Sequence, residues 1–153
     1  MFNIALFEPE IPQNTGNIAR LCAATGCRLH LIGPLGFSLE ERKLKRAGLD
    51  YWHLLDVHIY DSFDDFTAEH ADSKFYYITT KGMNYYTELD YQPGDFFIFG
   101  SETKGLPDDL INANKELCLR IPMVKGARCL NLSNSVAIVI YNALYKQKFR
   151  GLS

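Results

Sequence analysis

One loop of the sequence has the composition of a small-molecule binding loop. Residues 100–107 are Gly-Ser-Glu-Thr-Lys-Gly-Leu-Pro, and Gly100 and Gly105 have the spacing of a phosphate-binding P-loop. That motif needs a lysine and a hydroxyl residue directly after the second glycine, because the lysine reaches the terminal phosphates. Here Leu106 and Pro107 occupy those positions, and proline has no N–H to offer a phosphate. The sequence therefore excludes a P-loop nucleoside triphosphatase.

Other common catalytic and metal-binding motifs are missing from the sequence. The first apolar segment is followed by Pro-Glu-Ile-Pro-Gln, not by the G-x-G-x-x-G turn of dinucleotide-binding proteins. The G-x-S-x-G elbow of serine hydrolases does not occur either. Cys22, Cys27, Cys118 and Cys129 form no C-x-x-C pair and have no histidine at zinc spacing. We therefore expect no metal site, and reduced thiols such as cytosolic proteins have.

The four histidines are expected to be structural. His30, His53, His58 and His70 fall in predicted strands or mid-chain, and the sequence suggests no paired partner for any of them. A general base needs a neighbour that orients it. We therefore expect ordinary structural roles for these side chains.

Length and hydropathy predict a single cytoplasmic domain spanning residues 1–153. A chain of 153 residues has the size of one ordinary domain and buries roughly 70% of its unfolded surface. Its longest apolar runs, such as 96–99, are far too short to cross a bilayer. The first residues lack the basic region and cleavage site of a secretory signal.

The charge of the chain bears on an RNA partner. The formal net charge is −2, whereas dedicated nucleic-acid-binding proteins are usually basic. Basic residues nevertheless cluster at 42–46 and again at Lys146, Lys148 and Arg150. Each cluster is either an RNA-binding surface or a solvated helix face, and the sequence leaves both open.

Short β-rich segments alternate with helical segments along the chain, which predicts an α/β fold. Asn14 or Thr15 is expected to cap the first helix, and Gly26 to end it. Six strands interleaved with helices predict a mostly parallel sheet covered by helices on both faces. The predicted strands are 2–7, 29–32, 57–60, 75–80, 95–99 and 117–121. The predicted helices are 14–25, 38–48, 62–70, 107–112 and 131–148.

Four loops follow predicted strands and are expected to meet in space. They are residues 8–15, the segment from 81 onward, 100–107 and 122–129. In a parallel sheet, ligands bind beyond the carboxyl ends of the strands. We therefore expect a binding site where these loops converge.

Three stretches of the chain together resemble the SPOUT methyltransferases, in their SpoU-like branch that methylates ribose. The first is Asn-Thr-Gly-Asn-Ile-Ala-Arg at 14–20, and the second is Phe-Gly-Ser-Glu-Thr-Lys-Gly-Leu-Pro at 99–107. The third runs from Ile-Pro-Met at 121–123 through Leu-Asn-Leu-Ser-Asn-Ser-Val-Ala at 130–137 to Tyr-Asn-Ala at 141–143. The opening, residues 3–17, is similar to that of minimal members that methylate the wobble ribose of leucine tRNAs.

The resemblance implies an activity and partners. It implies S-adenosylmethionine as cofactor, held by a deep trefoil knot near the C-terminus, with S-adenosylhomocysteine as product and no metal. It implies a homodimer whose active sites are each built from both subunits, and a tRNA anticodon stem-loop methylated at the 2′-hydroxyl of nucleotide 34. The alternatives are another tRNA or ribosomal RNA site, or a catalytically silent RNA-binding protein of the same fold.

The resemblance also implies which residues form the site. The catalytic candidates are Asn14, Arg20, Glu102, Asn131, Ser133 and Tyr141. The cofactor-binding candidates are Ile78, Thr79, Gly100, Ile121, Cys129 and Leu130.

Four of these positions keep alternatives. The family assigns the general-base role to Arg20, but a guanidinium stays charged, so pairing with an RNA phosphate or a developing alkoxide is the second possibility. Glu102 either orients Arg20 or is an ordinary carboxylate near a helix N-terminus. Tyr141 is either catalytic or part of the core or dimer interface. The family usually has serine where Cys129 stands, and a thiol is a weak hydrogen-bond partner, so only backbone contacts are expected there.

Overall fold

The computed structural model of the chain describes residues 1–39, 53 and 55–153. The basic helix predicted over 38–48, with its cluster at 42–46, falls almost entirely on the other residues and lies outside the described ones. The described part contains seven strands and four α-helices.

All seven strands belong to one sheet. In chain order they are β1 (Asn3–Phe7), β2 (Arg28–Ile32), β3 (Val57–Tyr60), β4 (Phe75–Ile78), β5 (Asn84–Tyr85), β6 (Phe96–Phe99) and β7 (Cys118–Arg120). Across the sheet they lie in the order β3-β2-β1-β6-β4-β7-β5, and every strand pairing among the described residues is parallel. The predicted α/β class is confirmed. β5 is an addition to the six predicted strands, because a two-residue strand carries no readable periodicity.

Four α-helices accompany the sheet. They are α1 (Pro12–Thr25), α2 (Phe63–Glu69), α3 (Asp108–Ala113) and α4 (Leu132–Lys146). Gly26 ends α1 as predicted, with a φ of 71° and its N–H bonded to the carbonyl of Cys22 at 2.8 Å. The predicted cap of α1 is wrong, since the helix begins at Pro12 and contains Asn14 and Thr15 in its first turn. Proline suits that first position because its φ is already helical and it has no N–H to satisfy.

The helix α4 begins where it was expected. Its N-cap is Asn131, whose side-chain oxygen accepts hydrogen bonds from the N–H groups of Ser133 and Asn134. The helix ends at Lys146 rather than at the predicted Lys148, which has a φ of 55° and so leaves the helical region.

The sheet separates two apolar layers, because alternate strand residues point to opposite faces. On one face Ile4, Leu6 and Phe97 pack with α1 and α4. On the other, Ala5 and Ile98 pack with α2 and α3. Strands buried on both sides are expected to be almost continuously apolar, as Phe-Phe-Ile-Phe in β6 is. The predicted covering of both faces is therefore confirmed.

The histidines have partners that the sequence did not suggest. His30 is buried, and its Nε2 lies 3.0 Å from Oδ1 of Asn3, whose amide nitrogen donates to the carbonyl of Gly94. Nε2 of His30 therefore carries the proton, and its Nδ1 accepts from the hydroxyl of Tyr60 at 3.0 Å. Nε2 of His70 lies 2.9 Å from the same hydroxyl and donates to it.

His58 completes the cluster from β3. Its ring stacks on that of His30 with centroids 5.1 Å apart, and its Nε2 lies 2.6 Å from a carboxylate oxygen of Asp56. The expectation that His30, His58 and His70 lack paired partners is wrong. The partners of His30 and His70 come from other elements of the fold, whereas Asp56 lies two residues before His58. The buried His30 packs against Phe66 of the apolar layer of α2, with ring centroids 6.0 Å apart, which fits the structural role that was expected.

Candidate active site

A cavity of about 400 Å³ lies at the carboxyl ends of β4, β6 and β7. Ile78 ends β4, Phe99 ends β6 and Ile121 follows β7, and all three line the cavity. Ile11 and Asn14 contribute from the start of α1. A volume of this size suits a small organic ligand. The expected convergence of the strand-end loops is confirmed.

All six cofactor-binding candidates line this cavity. They are Ile78, Thr79, Gly100, Ile121, Cys129 and Leu130. Thr79 closes the turn after β4, since its hydroxyl accepts the N–H of Lys81 at 3.2 Å. The aliphatic members offer an apolar wall, while the loop residues offer main-chain groups. Their roles toward a cofactor stay predictions.

The 100–107 loop is folded back on itself at one wall of the cavity. Ser101 and Gly105 form a β-bridge, in which the N–H of Gly105 donates to the carbonyl of Ser101 at 3.0 Å. A Cβ on Gly100 would lie 2.2 Å from the carbonyl carbon of Gly105, which no side chain can tolerate. Gly105 has a φ of 66°, where glycine is favoured. Gly100 is therefore required by the closure of its own loop, in addition to any approach of a cofactor.

Glu102 ties this loop to the segment before α1. Its carboxylate accepts hydrogen bonds from the N–H groups of Glu10 at 2.8 Å and Ile11 at 3.0 Å. The side-chain amide of Asn14 lies 3.4 Å from the same carboxylate. Of the two roles left open for Glu102, its contacts within the chain favour the carboxylate near a helix N-terminus.

Asn14 and Asn131 join α1 to α4 at the rim of the cavity. The amide nitrogen of Asn131 donates to Oδ1 of Asn14 at 3.0 Å, and both residues line the cavity. Oδ1 of Asn131 accepts the hydroxyl of Ser133 at 2.6 Å as well as the helix N–H groups. Glu102, Asn14, Asn131 and Ser133 therefore form one continuous hydrogen-bonded chain. Four of the six catalytic candidates meet in it.

Comparison with protein families shows to which family the chain belongs. Residues 1–141 match the model of the SpoU rRNA Methylase family. The chain belongs to the SpoU methylase family. The resemblance drawn from the three sequence motifs is thus confirmed.

Full-length relatives are found among bacterial proteins. A tRNA (cytidine(34)-2′-O)-methyltransferase from Methylovorus glucosotrophus is 47% identical over 152 residues, which cover 99% of each chain. A protein of the same name from Saccharophagus degradans is 46% identical over 152 residues, with the same coverage.

Solved structures have the same fold as this SpoU family member. A Bacillus anthracis protein matches with a TM-score of 0.94 and 49% identity, covering 100% of this chain and 98% of that one. A structure solved to explain 2-OH methylation of C/U34 on tRNA matches with a TM-score of 0.91 and 40% identity, covering 98% of each chain. AviRb from Streptomyces viridochromogenes, solved with S-adenosylmethionine, has a TM-score of 0.81 at 22% identity, covering 97% of this chain and 58% of that one. That last likeness shows the fold.

Three of the six catalytic candidates do not line the cavity of their own chain, namely Arg20, Ser133 and Tyr141. Ser133 still lies beside it, because its hydroxyl donates to Asn131. Arg20 is exposed on α1, about two turns beyond Asn14, and does not line the cavity. Tyr141 is 45% exposed on α4 and does not line it either. The structure thus brings together the loop and cap residues of the site, and leaves Arg20 and Tyr141 on the surface of the chain.

The cavity also has residues that were not named as site candidates, although Thr103, Met123 and Ser135 lie inside the three sequence motifs. Lys81, Thr103 and Ser135 bring polar side chains to it, and Met123 brings an apolar one. Thr103 lay inside the recognised loop, and Ser135 lies one turn along α4 from Asn131, so helical spacing was a usable signal. Lys81 is already engaged, since its Nζ lies 2.6 Å from a carboxylate oxygen of Asp108.

The four cysteines are all free thiols. Cys22, Cys27 and Cys118 are buried, whereas Cys129 is exposed. In residues 1–39, 53 and 55–153 no three or more His, Cys, Asp or Glu side chains are placed so that they could hold a metal ion. The helices of that same part are too short or too polar to cross a membrane.

Proposed function

We propose that this SpoU family member transfers the methyl group of S-adenosylmethionine to the 2′-hydroxyl of nucleotide 34, a cytidine or modified uridine, in tRNA, with leucine isoacceptors as its substrates. The observation that carries the proposal is the cavity at the strand ends, which gathers all six cofactor candidates with Asn14, Glu102 and Asn131. The relatives named above, at 46–47% identity over their whole length, support the substrate. Such a reaction belongs in the cytoplasm, where tRNA is matured.

The residues present fit S-adenosylmethionine. The aliphatic side chains of Ile78, Ile121 and Leu130 suit an adenine ring, and the 100–107 loop offers main-chain groups. The cofactor supplies a methyl group activated by a sulfonium. The protein has to hold that methyl group in line with the ribose oxygen, so most of the acceleration comes from positioning. The trefoil knot implied by the family stays a prediction about how the chain forms this cavity.

The polar residues of the site hold the ribose. Asn14 is fixed between Glu102 and Asn131, so its amide has one orientation. Arg20 contributes a permanent positive charge, because a guanidinium does not lose its proton in a protein. We assign it the stabilisation of the developing oxyanion or of a neighbouring phosphate, in place of proton abstraction. The proton of the 2′-hydroxyl then passes to solvent water.

The position of Arg20 supports a homodimer. Arg20 does not line the cavity of its own chain, so the catalytic role assigned to it is best met if a second subunit brings Arg20 to the cavity. The chain offers a surface for that contact, since α4 and the residues after it carry exposed apolar side chains at helical spacing. These are Ile138, Tyr141, Tyr145 and Phe149, which are 37–68% exposed. Exposed apolar stripes of this kind mark protein interfaces, and Tyr141 then belongs to the interface.

A charged loop at the cavity supports an RNA substrate. Residues 122–130 are all exposed, and Lys125 and Arg128 form no ion pair within the described residues. They lie along the chain between Met123 and Cys129, which line the cavity. Lys146 of the second basic cluster has a different use, because its Nζ donates to the carbonyls of Thr87 and Leu89 at 2.6 Å. RNA contact is therefore proposed for the 122–130 loop, at the anticodon stem-loop phosphates.

Mass-spectrometric mapping of 2′-O-methylribose in tRNA tests the substrate, using cells with and without the gene. Loss of the modification at nucleotide 34 of leucine tRNAs supports the proposal. Loss of a ribose methyl group at a different tRNA position or in ribosomal RNA would show that the enzyme acts on that site instead. If deletion of the gene changes no ribose methylation, although the protein binds S-adenosylmethionine, the result favours the catalytically silent RNA-binding protein.

Complementation between two defective variants tests the shared active site. Arg20→Ala removes the charge, and Leu130→Trp fills the cavity of its own chain. If each site takes Arg20 from the partner, mixed dimers of the two variants regain one working site, up to about half of the wild-type activity per mixed dimer. Mixtures that stay inactive although light scattering shows dimers would mean that Arg20 acts within its own chain.

A further inference from the structure

Two loops at the cavity are joined by a pair of crossed carboxylates. Glu102, in the 100–107 loop, accepts the N–H of Glu10 at 2.8 Å. In return the carboxylate of Glu10 accepts the hydroxyl of Thr103 at 2.7 Å and its N–H at 3.4 Å. Each loop therefore presents one carboxylate to the other. We call the two Glu10–Thr103 hydrogen bonds the clasp.

The clasp holds the outer part of the loop. Ser101 is buried, whereas Thr103, Lys104 and Gly105 are exposed and line the cavity. As far as the structure describes the chain, Lys104 forms its hydrogen bond within its own loop, from its N–H to the hydroxyl of Ser101 at 3.3 Å. Among the described residues, the hydrogen bonds that connect this exposed tip to another segment go from Thr103 to Glu10.

Glu10 stands on a well-anchored segment. Pro9 is buried and its carbonyl accepts the N–H of Gly36 at 2.9 Å. A Cβ on Gly36 would lie only 2.9 Å from Cα of Glu10, so the two backbones are in close contact. Glu8, whose φ is 48°, donates its N–H to the carbonyl of Ile32 at 2.8 Å. Glu10 can therefore act as a fixed point for the exposed tip of the 100–107 loop.

We propose that Glu10 is a positioning residue of the methyl transfer, which acts through Thr103 to hold the wall of the cofactor cavity against the start of α1. This inference rests on the proposed function, since it assigns the cavity to S-adenosylmethionine. Glu10 does not line the cavity and touches no reactant. Its effect is to join the loop that binds the cofactor to the helix that carries Asn14 and Arg20.

The charge state of Glu10 suits this role. The hydroxyl of Thr103 donates to the carboxylate and holds the pKa of Glu10 below its ordinary value, with smaller contributions from Ser101, the Thr103 N–H and Lys104. The carboxylate is therefore charged at neutral pH, and hydrogen bonds to a charged acceptor are stronger than neutral ones.

Substitutions at Thr103 give the sharpest test, because they change the clasp by single atoms. Thr103→Val removes the hydroxyl donor at constant shape, whereas Thr103→Ser keeps it. We expect the valine variant to weaken S-adenosylmethionine binding about 10-fold in calorimetry, a size set by one hydrogen bond to a charged group. The serine variant should stay within about 2-fold of wild type on the same scale. The KM for the cofactor should rise more than kcat falls.

A double-mutant cycle shows whether Glu10 and Thr103 act together. Glu10→Ala should match Thr103→Val, and the double variant should be no worse than either single one. Thr67→Val and Glu69→Ala on α2 are matched controls, which remove the same groups from a helix whose residues do not line the cavity. They should leave cofactor affinity unchanged.

Two results would overturn the proposal. One is cofactor affinity within about 2-fold of wild type, an interval set by ordinary mutational scatter, in Thr103→Val. The other is equal loss in the valine and serine variants, which would show that shape and not the hydrogen bond matters. If Glu10→Ala does not fold, the Thr103 pair decides alone. Wild-type protein that binds no S-adenosylmethionine would instead contradict the proposed function.

Discussion

Replacing Asn131 by aspartate separates two roles of this side chain, the capping of α4 and the hydrogen bond to Asn14. Its Oδ1 caps α4 through the N–H groups of Ser133 and Asn134, and its Nδ2 donates to Asn14. Aspartate keeps the capping oxygen and places a negative charge at a helix N-terminus, where it is favourable. It loses the donor, so two oxygens face each other across the 3.0 Å now spanned by the hydrogen bond.

Neither orientation of the Asn14 amide can satisfy both of its neighbours after that substitution. If its amide rotates to donate to the new carboxylate, its oxygen turns toward the carboxylate of Glu102, which lies 3.4 Å from the present amide nitrogen. Asn14 is therefore displaced or disordered whichever way it turns. A displacement of about 1 Å in a positioning residue reduces a rate on the order of 100-fold, so we expect a loss of methyl transfer of roughly 10- to 100-fold.

Stability should follow a different order from activity. Asn131→Ala loses the cap, which costs about 1 kcal/mol and lowers Tm by about 2–4 °C in a chain of this size. Asn131→Asp should stay within about 0.5 kcal/mol of wild type, since the cap is retained. The assays are thermal unfolding and methylation of tRNA at saturating cofactor. An aspartate variant with full activity, or one as unstable as the alanine variant, would refute this account of Asn131.

Three further outcomes follow from the structure. Burial lowers the pKa of His30 to about 3, so below pH ~6.5 the folded protein binds fewer protons than the unfolded chain. The free energy of unfolding, measured by urea titration, should therefore fall as the pH drops below ~6.5, by up to about 1.4 kcal/mol per pH unit. His30→Gln should flatten that pH dependence, and an equally steep curve in the variant would contradict it. Cys129→Ser places at this exposed cavity position the serine that the sequence resemblance implies. The variant should bind cofactor and methylate tRNA at least as well as wild type, and a large loss of affinity would overturn this. Combined alanine substitution of Lys125 and Arg128 should weaken tRNA binding and reduce the slope of log affinity against log salt by the equivalent of up to about two phosphate contacts. Arg28→Ala, which removes an ion pair with Asp56, is the control and should leave that slope unchanged. Equal slopes in the double variant and wild type would show that the 122–130 loop does not contact the RNA.

The fold was largely predictable because its strands are local patterns. β6 is four apolar residues in a row, and such runs are typical of strands buried on both faces. Gly26 and Asn131 were recognised as helix ends because each works on its own neighbouring backbone. The start of α1 was missed because Asn14, a good capping residue, is used by Glu102 and Asn131 instead.

The six cofactor-binding candidates that line the cavity could be named from the sequence motifs, whereas the hydrogen bonds around the cavity could not. The family motifs identify Glu102, yet its partners Glu10 and Ile11 lie 92 and 91 residues away along the chain. The same holds for His30, whose hydrogen bonds reach across three strands. Such contacts depend on sheet order, which no local pattern encodes. The separation of Arg20 from its own cavity is likewise a property of the folded chain.

Methyl transfer by the purified protein tests the central proposal most directly. The protein is incubated with methyl-labelled S-adenosylmethionine and leucine tRNA that lacks the modification, and the label is located by mass spectrometry. We predict one 2′-O-methyl group at nucleotide 34 with wild type, and none with Arg20→Ala although that variant still binds the cofactor in calorimetry. Label at another position, no label with wild type, or normal turnover in Arg20→Ala would contradict the account.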